Sequence, residues 1–130
     1  MDKEGIGEYM KAAENKMVSA RLLNEHGQYD DAVSRAYYAA FHAVQALLLC
    51  VGLKAETHSG VRQLFGLHFV QTGKIDRKYA KYLKNLKDDR EDGDYGIMTM
   101  VEKEDAEAAI QEAKEIIEEI RHKVNIEKPS

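Results

Sequence analysis

The sequence predicts an all-α fold, an up-and-down bundle of four to five helices. Apolar residues recur at helical spacings along the 130 residues, whereas the pattern typical of strands is weak. The segments between predicted helices are short, which favours antiparallel packing of neighbours. The only proline is Pro129, and the chain shows no internal repeat, low-complexity stretch or domain linker. We therefore expect one helical domain over residues 1–125 and a frayed C-terminal tail over residues 126–130.

The first two helices are predicted from apolar spacing and stop signals. Helix one is expected to extend to about Glu25, because the following Gly27 is a natural helix stop. Helix two is expected to be capped by Asp30 or Asp31 and to run to about Val51. The apolar residues of helix one recur every three or four positions: Ile6, Met10, Ala13, Met17 and Ala20.

Three further helices complete the predicted bundle. Thr57 is expected to cap a third helix that ends near Gly73, and Asp76 is expected to cap a fourth. Thr99 and Glu102 have capping-box spacing for a fifth. The predicted inward residues are Tyr79, Leu83 and Leu86 in helix four, and Ala106, Ile110, Ala113, Ile117, Ile120 and Val124 in helix five.

Composition excludes several classes of protein. There is no run of about 18 apolar residues, so neither a transmembrane span nor a membrane partner is expected. The polar N-terminus is unlike a signal peptide. Cys50 is the only cysteine, so no intrachain disulfide can form, and we expect a cytoplasmic protein. The net charge of −4 argues against general polyanion binding, although positive charge is concentrated in residues 74–90.

Helix two combines two apolar faces with a polar stripe. One apolar face carries large side chains, and the other is a seam of alanines that lets a neighbouring backbone come close. The stripe is either a solvent-exposed edge or the wall of a cleft where Arg35 binds a carboxylate or phosphate. Spacing alone favours the exposed edge. The polar residues of the stripe are Ser34, Arg35, Tyr38, His42 and Gln45.

A second polar signal lies at the end of helix four. Arg90 falls on the same side as the inward stripe, where a charged group needs a partner. Asp94 follows four residues later and can supply one. The pair is either a structural contact that closes the helix end or part of a functional site.

Together these motifs resemble the HEPN superfamily, and more narrowly the small stand-alone HEPN proteins of bacteria and archaea. The similarity spans roughly residues 29–96 and is carried by AVSRAYYAAFHAVQALL, THSGV, FGLHFVQTGKI and DDREDGDYG. It implies a helical bundle that commonly forms homodimers. It also implies a role beside a minimal nucleotidyltransferase, often as the toxin half of a toxin–antitoxin pair.

Many proteins of this family are metal-independent ribonucleases, with an arginine followed a few residues later by a histidine. Arg90 matches that arginine, but Asp94 and Tyr95 follow it, and the next histidine is His122. Metal-free RNA cleavage needs groups that exchange protons near neutral pH, for which histidine is suited and aspartate is not. By their position in the motif, Arg90, Asp94 and Tyr95 are the candidate catalytic residues that the resemblance implies.

Four other residues are candidates for ligand binding: Arg35, Tyr38, His42 and His58. His58 resembles a recurrent family position and either caps helix three or faces the same cleft as Arg90. We expect the residues of helix two in this set to face the end of helix four across one cleft or a dimer seam. The histidines lack metal-ligand spacing, and no phosphate-binding glycine loop is present, so neither a metal nor a cofactor is expected.

Three functions remain open at this level. The first is an interaction module that pairs with a nucleotidyltransferase and binds nucleotide or RNA without cleavage, which the missing histidine favours. The second is a metal-independent ribonuclease that uses Arg90 with Asp94, Tyr95 or His42. The third is a non-catalytic oligomeric scaffold. Four basic residues on the outer side of helix four are either a solvated face or a contact for RNA: Arg77, Lys78, Lys81 and Lys84.

Overall fold

The computed structural model describes residues 2–95 and 100–127 of the chain. Within these ranges the protein is all-α, as the sequence predicts, and no strand is present. A π-helical turn, Gly66–Val70, continues the third helix. The helices are α1 (Lys3–Glu25), α2 (Tyr29–Cys50), α3 (His58–Phe65), α4 (Arg77–Tyr95) and α5 (Lys103–Glu127).

The central element of the bundle is α2, which packs against all four other helices. Both of its predicted apolar faces are buried, the large side chains on one and the alanines on the other. Small side chains along the alanine face let the neighbouring helices approach α2 closely, and these alanines are completely buried. Val51, expected at the end of the large face, instead lies beyond the helix and is exposed.

Glycines end α1 and α2 in the same way. Gly27 and Gly52 have positive φ angles of 76° and 74°, a conformation that glycine adopts without strain. After Gly27, the amide of Gln28 donates to the carbonyl of Leu23 at 2.8 Å, the backbone pattern of a Schellman motif. The predicted stop at Gly27 and the predicted end of the second helix near Val51 are confirmed.

The predicted helix starts are right in two cases and wrong in one. The Thr57 hydroxyl accepts from the Gly60 amide at 3.0 Å, so Thr57 caps α3 as predicted. Asp76 Oδ1 accepts from the Lys78 amide at 2.9 Å at the start of α4. The prediction that Asp30 or Asp31 caps α2 is wrong, because that helix already begins at Tyr29. Both carboxylates lie in its first turn, where they complement the helix dipole.

The start of α5 and the end of α3 also differ from the sequence-based expectation. The Asp105 carboxylate accepts from the Glu102 amide at 2.8 Å. This is one of the two hydrogen bonds of a capping box, with Glu102 at the N-cap and Asp105 three residues later. Thr99, the other predicted member, lies outside the described residues. The α-helical part of the third helix ends at Phe65, and the π-helical turn carries it only to Val70.

The core contains residues from all five helices. In α5 five of the six predicted inward residues are buried, whereas Ile110 is half-buried and Ala109 and Ile116 join the core. Cys50 is buried in the same core. Over the described residues, no helix has the length and apolar character that a membrane span requires.

Candidate functional site

Six side chains form a mixed aromatic and basic cluster where α2, α3 and α4 meet. The packing of both α3 and α4 against α2 brings them together. We call them the α2–α3–α4 cluster: Tyr37, Tyr38 and Phe41 from α2, His58 and Arg62 from α3, and Arg90 from α4.

Arg90 covers the two tyrosines of the cluster. Its guanidinium carbon lies 5.0 Å from the ring centroid of Tyr38 and 5.5 Å from that of Tyr37. At these distances the aromatic rings attract the cation electrostatically. Tyr37 is completely buried and Tyr38 half-buried, so Arg90 lies at the edge of the core.

His58 is held by a stacking contact and a hydrogen bond. Its imidazole stacks on the ring of Phe41, with centroids 4.1 Å apart. Its Nδ1 lies 3.0 Å from the hydroxyl of Tyr37. The same hydroxyl accepts a hydrogen bond from Arg62 Nη1 at 3.3 Å. His58 therefore faces the cluster, and the cap of α3 is made by Thr57.

Burial shifts the pKa values of two of these groups. It raises the pKa of the Tyr37 hydroxyl above its ordinary value, an effect that Arg62 and Arg90 oppose. It also lowers the pKa of His58, which the charges of Arg90 and Arg62 and the neighbouring His42 lower further. Tyr37 therefore keeps its proton at pH 7, and His58 is mainly uncharged there.

His42 borders the cluster but is held by a different set of contacts. Its Nδ1 donates to Gln45 Oε1 at 2.9 Å, within the same helix. Its ring is stacked with Tyr9 of α1, with centroids 6.4 Å apart, and lies 6.5 Å from Tyr38. Two residues of the polar stripe, His42 and Gln45, therefore lie at the α1–α2 interface.

The structure brings together part of the predicted site. Tyr38, His58 and Arg90 are all in the cluster, and Tyr38 is the stripe residue that contacts Arg90. Arg35 is exposed, and among the contacts described for residues 2–91 and 100–125 none joins it to the cluster. The last turn of α4 includes the backbone of Asp94 and Tyr95, whose side chains lie outside the described part of the chain.

Three cluster residues were not among the predicted site residues: Tyr37, Phe41 and Arg62. The pattern of α2 places Tyr37 and Phe41 on an apolar face. The pattern therefore does not indicate that the buried Tyr37 hydroxyl forms hydrogen bonds. Arg62 follows His58 by four positions, so both lie on one side of α3. From this spacing, Arg62 could have been predicted as a site residue together with His58.

A separate cavity of about 300 Å³ lies between the start of α1, the end of α2 and the segment before α3. Tyr9 and Gln45 line it, so it adjoins the surroundings of His42, but its lining contains no residue of the cluster. In the described ranges, no group of three histidine, cysteine or acidic side chains is arranged to hold a metal ion. The four basic residues predicted on the outer side of α4 are exposed, and one of them, Lys84, pairs with Asp88 at 3.8 Å.

Comparison with known proteins identifies relatives along most of the chain. The HEPN domain family matches residues 6–123, a range that includes the whole cluster. A protein of Methanocaldococcus jannaschii described as a candidate toxin is 38% identical over 119 residues, which are 92% of this chain and 88% of that protein. A UPF0332 protein of Thermotoga maritima is 37% identical over 120 residues, 92% of this chain and 91% of that protein.

A UPF0332 protein of Pyrococcus horikoshii is 48% identical over 87 residues, 67% of this chain but 61% of that protein. This chain thus aligns with about three-fifths of the Pyrococcus protein. Among solved structures, the crystal structure of TT1696 from Thermus thermophilus superposes with a TM-score of 0.80, covering 95% of this chain and 99% of that one. The two sequences are 20% identical, so this similarity concerns the fold.

Proposed function

Because the chain belongs to the HEPN domain family, we propose that it is the toxin-like component of a pair with a minimal nucleotidyltransferase. In this proposal the α2–α3–α4 cluster binds the phosphate of RNA or of a nucleotide without cleaving it, and the chain forms a homodimer. The description of the Methanocaldococcus relative as a candidate toxin supports the toxin-like role. The nucleotidyltransferase partner and the homodimer rest on the properties of the family.

The observation that carries the binding proposal is the position of the Arg90 guanidinium over Tyr38 and Tyr37. A guanidinium held against aromatic rings keeps its planar fork, which can bond two oxygens of a phosphate. Arg62 adds a second positive charge to the cluster. The exposed part of the Tyr38 ring also offers a surface on which a nucleobase can stack.

Replacing Arg90 with alanine is expected to weaken RNA binding by about tenfold to a hundredfold, the loss typical of a charged hydrogen-bonded contact. Arg90→Lys keeps the charge but not the planar fork, so it should recover only part of the affinity. The measurement is fluorescence anisotropy of a short labelled oligouridylate in EDTA. Arg21→Ala, which removes an exposed arginine from α1, is the control and should bind like the native protein.

A metal-independent ribonuclease is the second candidate function. The observation that favours it is the imidazole of His58, which lies in the cluster with Arg90 although the sequence after Arg90 offers no nearby histidine. The catalytic candidates Asp94 and Tyr95 belong to this alternative, as does His42.

The same samples distinguish the functions when they are also separated by size on a gel. Binding without cleavage supports the interaction module, whereas cleavage that is lost in Arg90→Ala supports the ribonuclease. If the native protein neither binds nor cleaves the oligonucleotide, both nucleic-acid roles are overturned and the non-catalytic scaffold is favoured.

The partner is tested by sequencing the genes that flank the one encoding this chain and co-expressing the chain with any small nucleotidyltransferase found there. We expect the two proteins to purify together, and we expect the partner to relieve growth arrest caused by this chain alone. Light scattering of the purified chain gives its own oligomeric state, with a dimer expected. A monomer, or the absence of any complex, would remove the corresponding part of the proposal.

A further inference from the structure

The hydrogen bonds at the Tyr37 hydroxyl have a direction. A guanidinium nitrogen can only donate, so the Tyr37 oxygen accepts from Arg62 Nη1. Tyr37 is completely buried, and a buried hydroxyl is nearly always satisfied as a donor too. His58 Nδ1, at 3.0 Å, is the acceptor that the described residues place within reach. The chain of donors therefore runs from Arg62 through Tyr37 to His58.

This direction determines which nitrogen of His58 carries hydrogen. A nitrogen that accepts a hydrogen bond has no proton of its own, so Nδ1 is bare. The single proton of the uncharged ring then lies on Nε2. The lowered pKa of His58 agrees with an uncharged imidazole at neutral pH.

We propose that His58 donates a hydrogen bond from Nε2 to an oxygen of the phosphate that Arg90 binds. This inference rests on the proposed function and names a second group in the same site. Phe41, stacked at 4.1 Å, and Tyr38, whose ring meets that of His58 edge-on, fix the plane of the imidazole. Within residues 2–91 and 100–125, no described hydrogen bond engages Nε2, so this donor is available to a ligand.

The assignment also distinguishes binding from cleavage. A nitrogen that already carries hydrogen cannot accept the proton of an RNA 2′-hydroxyl, so His58 in this form is a donor and not a general base. Arg62 and Tyr37 are positioning residues, since they act on the phosphate through the tautomer of His58. This arrangement supports the interaction module over the ribonuclease.

The pH dependence of binding follows from the groups that face His58. These are Tyr37, Tyr38 and His42 from α2, Arg62 from α3 and Arg90 from α4. An uncharged donor leaves the affinity for an internal phosphodiester nearly constant between about pH 7 and pH 8. A His58 that bound as imidazolium would instead give an affinity that rises steadily as the pH falls through this range.

The tautomer is measured by long-range ¹H–¹⁵N correlation on protein labelled in its histidines, with His58→Gln identifying the signals of His58. We expect a protonated Nε2 and a bare Nδ1 at pH 7. In Tyr37→Phe, which keeps the ring but removes the hydroxyl, we expect a shift towards a mixture of tautomers. A protonated Nδ1, or an imidazolium at pH 7 in the native protein, would overturn the inference.

Affinity for the labelled oligouridylate provides the second measurement, with AMP as a competitor that distinguishes a nucleotide from RNA as the source of the phosphate. His58→Ala should bind about fivefold to tenfold more weakly, the usual loss for one hydrogen bond. His58→Gln should stay within about threefold of native, because its amide offers a donor near the position of Nε2.

Equal affinities for His58→Ala and native protein would overturn the inference and leave the proposed function standing, provided that Arg90→Ala still binds weakly. If native protein binds neither the oligonucleotide nor AMP, the proposed phosphate binding and the inference both fall. Circular dichroism of each variant checks that it is folded before binding is compared.

Discussion

Replacing Tyr37 with alanine is expected to lower the free energy of unfolding by about 3–5 kcal/mol, as is typical for removing a large buried aromatic side chain. Tyr37 is completely buried on α2 and stacks with Phe41 at 5.9 Å between ring centroids. Its loss would leave a cavity in the central helix and remove the hydroxyl to which Arg62 and His58 are bonded. Urea unfolding followed by circular dichroism measures the change.

Tyr38→Ala provides a matched comparison, because it should affect RNA binding more than stability. Tyr38 is half-buried, so Tyr38→Ala should cost less than about half as much stability. It removes the ring that lies 5.0 Å from the Arg90 guanidinium, and RNA affinity should therefore fall several-fold. Equal destabilisation by the two substitutions would show that Tyr38 belongs to the core. Unchanged RNA affinity in Tyr38→Ala would count against the stacked position of Arg90 as the feature that matters.

Ala109→Leu is expected to lower the free energy of unfolding by about 1–3 kcal/mol, because the buried surface of α5 leaves no room for a larger side chain. Ala109 is completely buried where α5 packs into the bundle. The preceding Ala108 is exposed on the same helix, so Ala108→Leu should change stability by less than about 0.5 kcal/mol. Alanine and leucine both favour helices, so the comparison isolates packing.

The same urea experiment decides the outcome for this pair. If the two leucine variants are equally stable, the interface around Ala109 can expand, and the close approach of α5 is not what stabilises the bundle. A large loss in Ala108→Leu would instead mean that this position, exposed in the single chain, is covered in solution, for example by a second copy of the chain.

Helix ends were predicted well where the signal was a single residue with a direct backbone contact. Gly27, Thr57 and Asp76 act as their residue types predict, because a positive φ angle or a side-chain cap depends on a few neighbouring residues. The start of α2 was misplaced because both Asp30 and Asp31 are also favourable inside the first turn of a helix. Because aspartate is favourable both at the cap and in the first turn, its presence locates the start of a helix only to within a few residues.

The polar stripe of α2 shows the limit of a pattern within one helix. Its members have different surroundings, since Arg35 is exposed, Tyr38 contacts Arg90 and His42 is bonded to Gln45. A single helix does not indicate which neighbour covers each part of its stripe. Likewise, the spacing around Arg90 pointed to residues further along the chain, whereas the imidazole beside it comes from α3.

The amino-acid sequence by itself determined the helices, most of their ends, the buried faces and the family of this protein. These properties depend on hydrogen bonds between residues about four apart and on the repeat of apolar side chains. Only the tertiary structure decided that His58, Arg62 and Arg90 meet around Tyr37 and Tyr38. Each residue turns a helix by about 100°, so which polar side chains face one another depends on how all five helices are rotated when their apolar faces pack together.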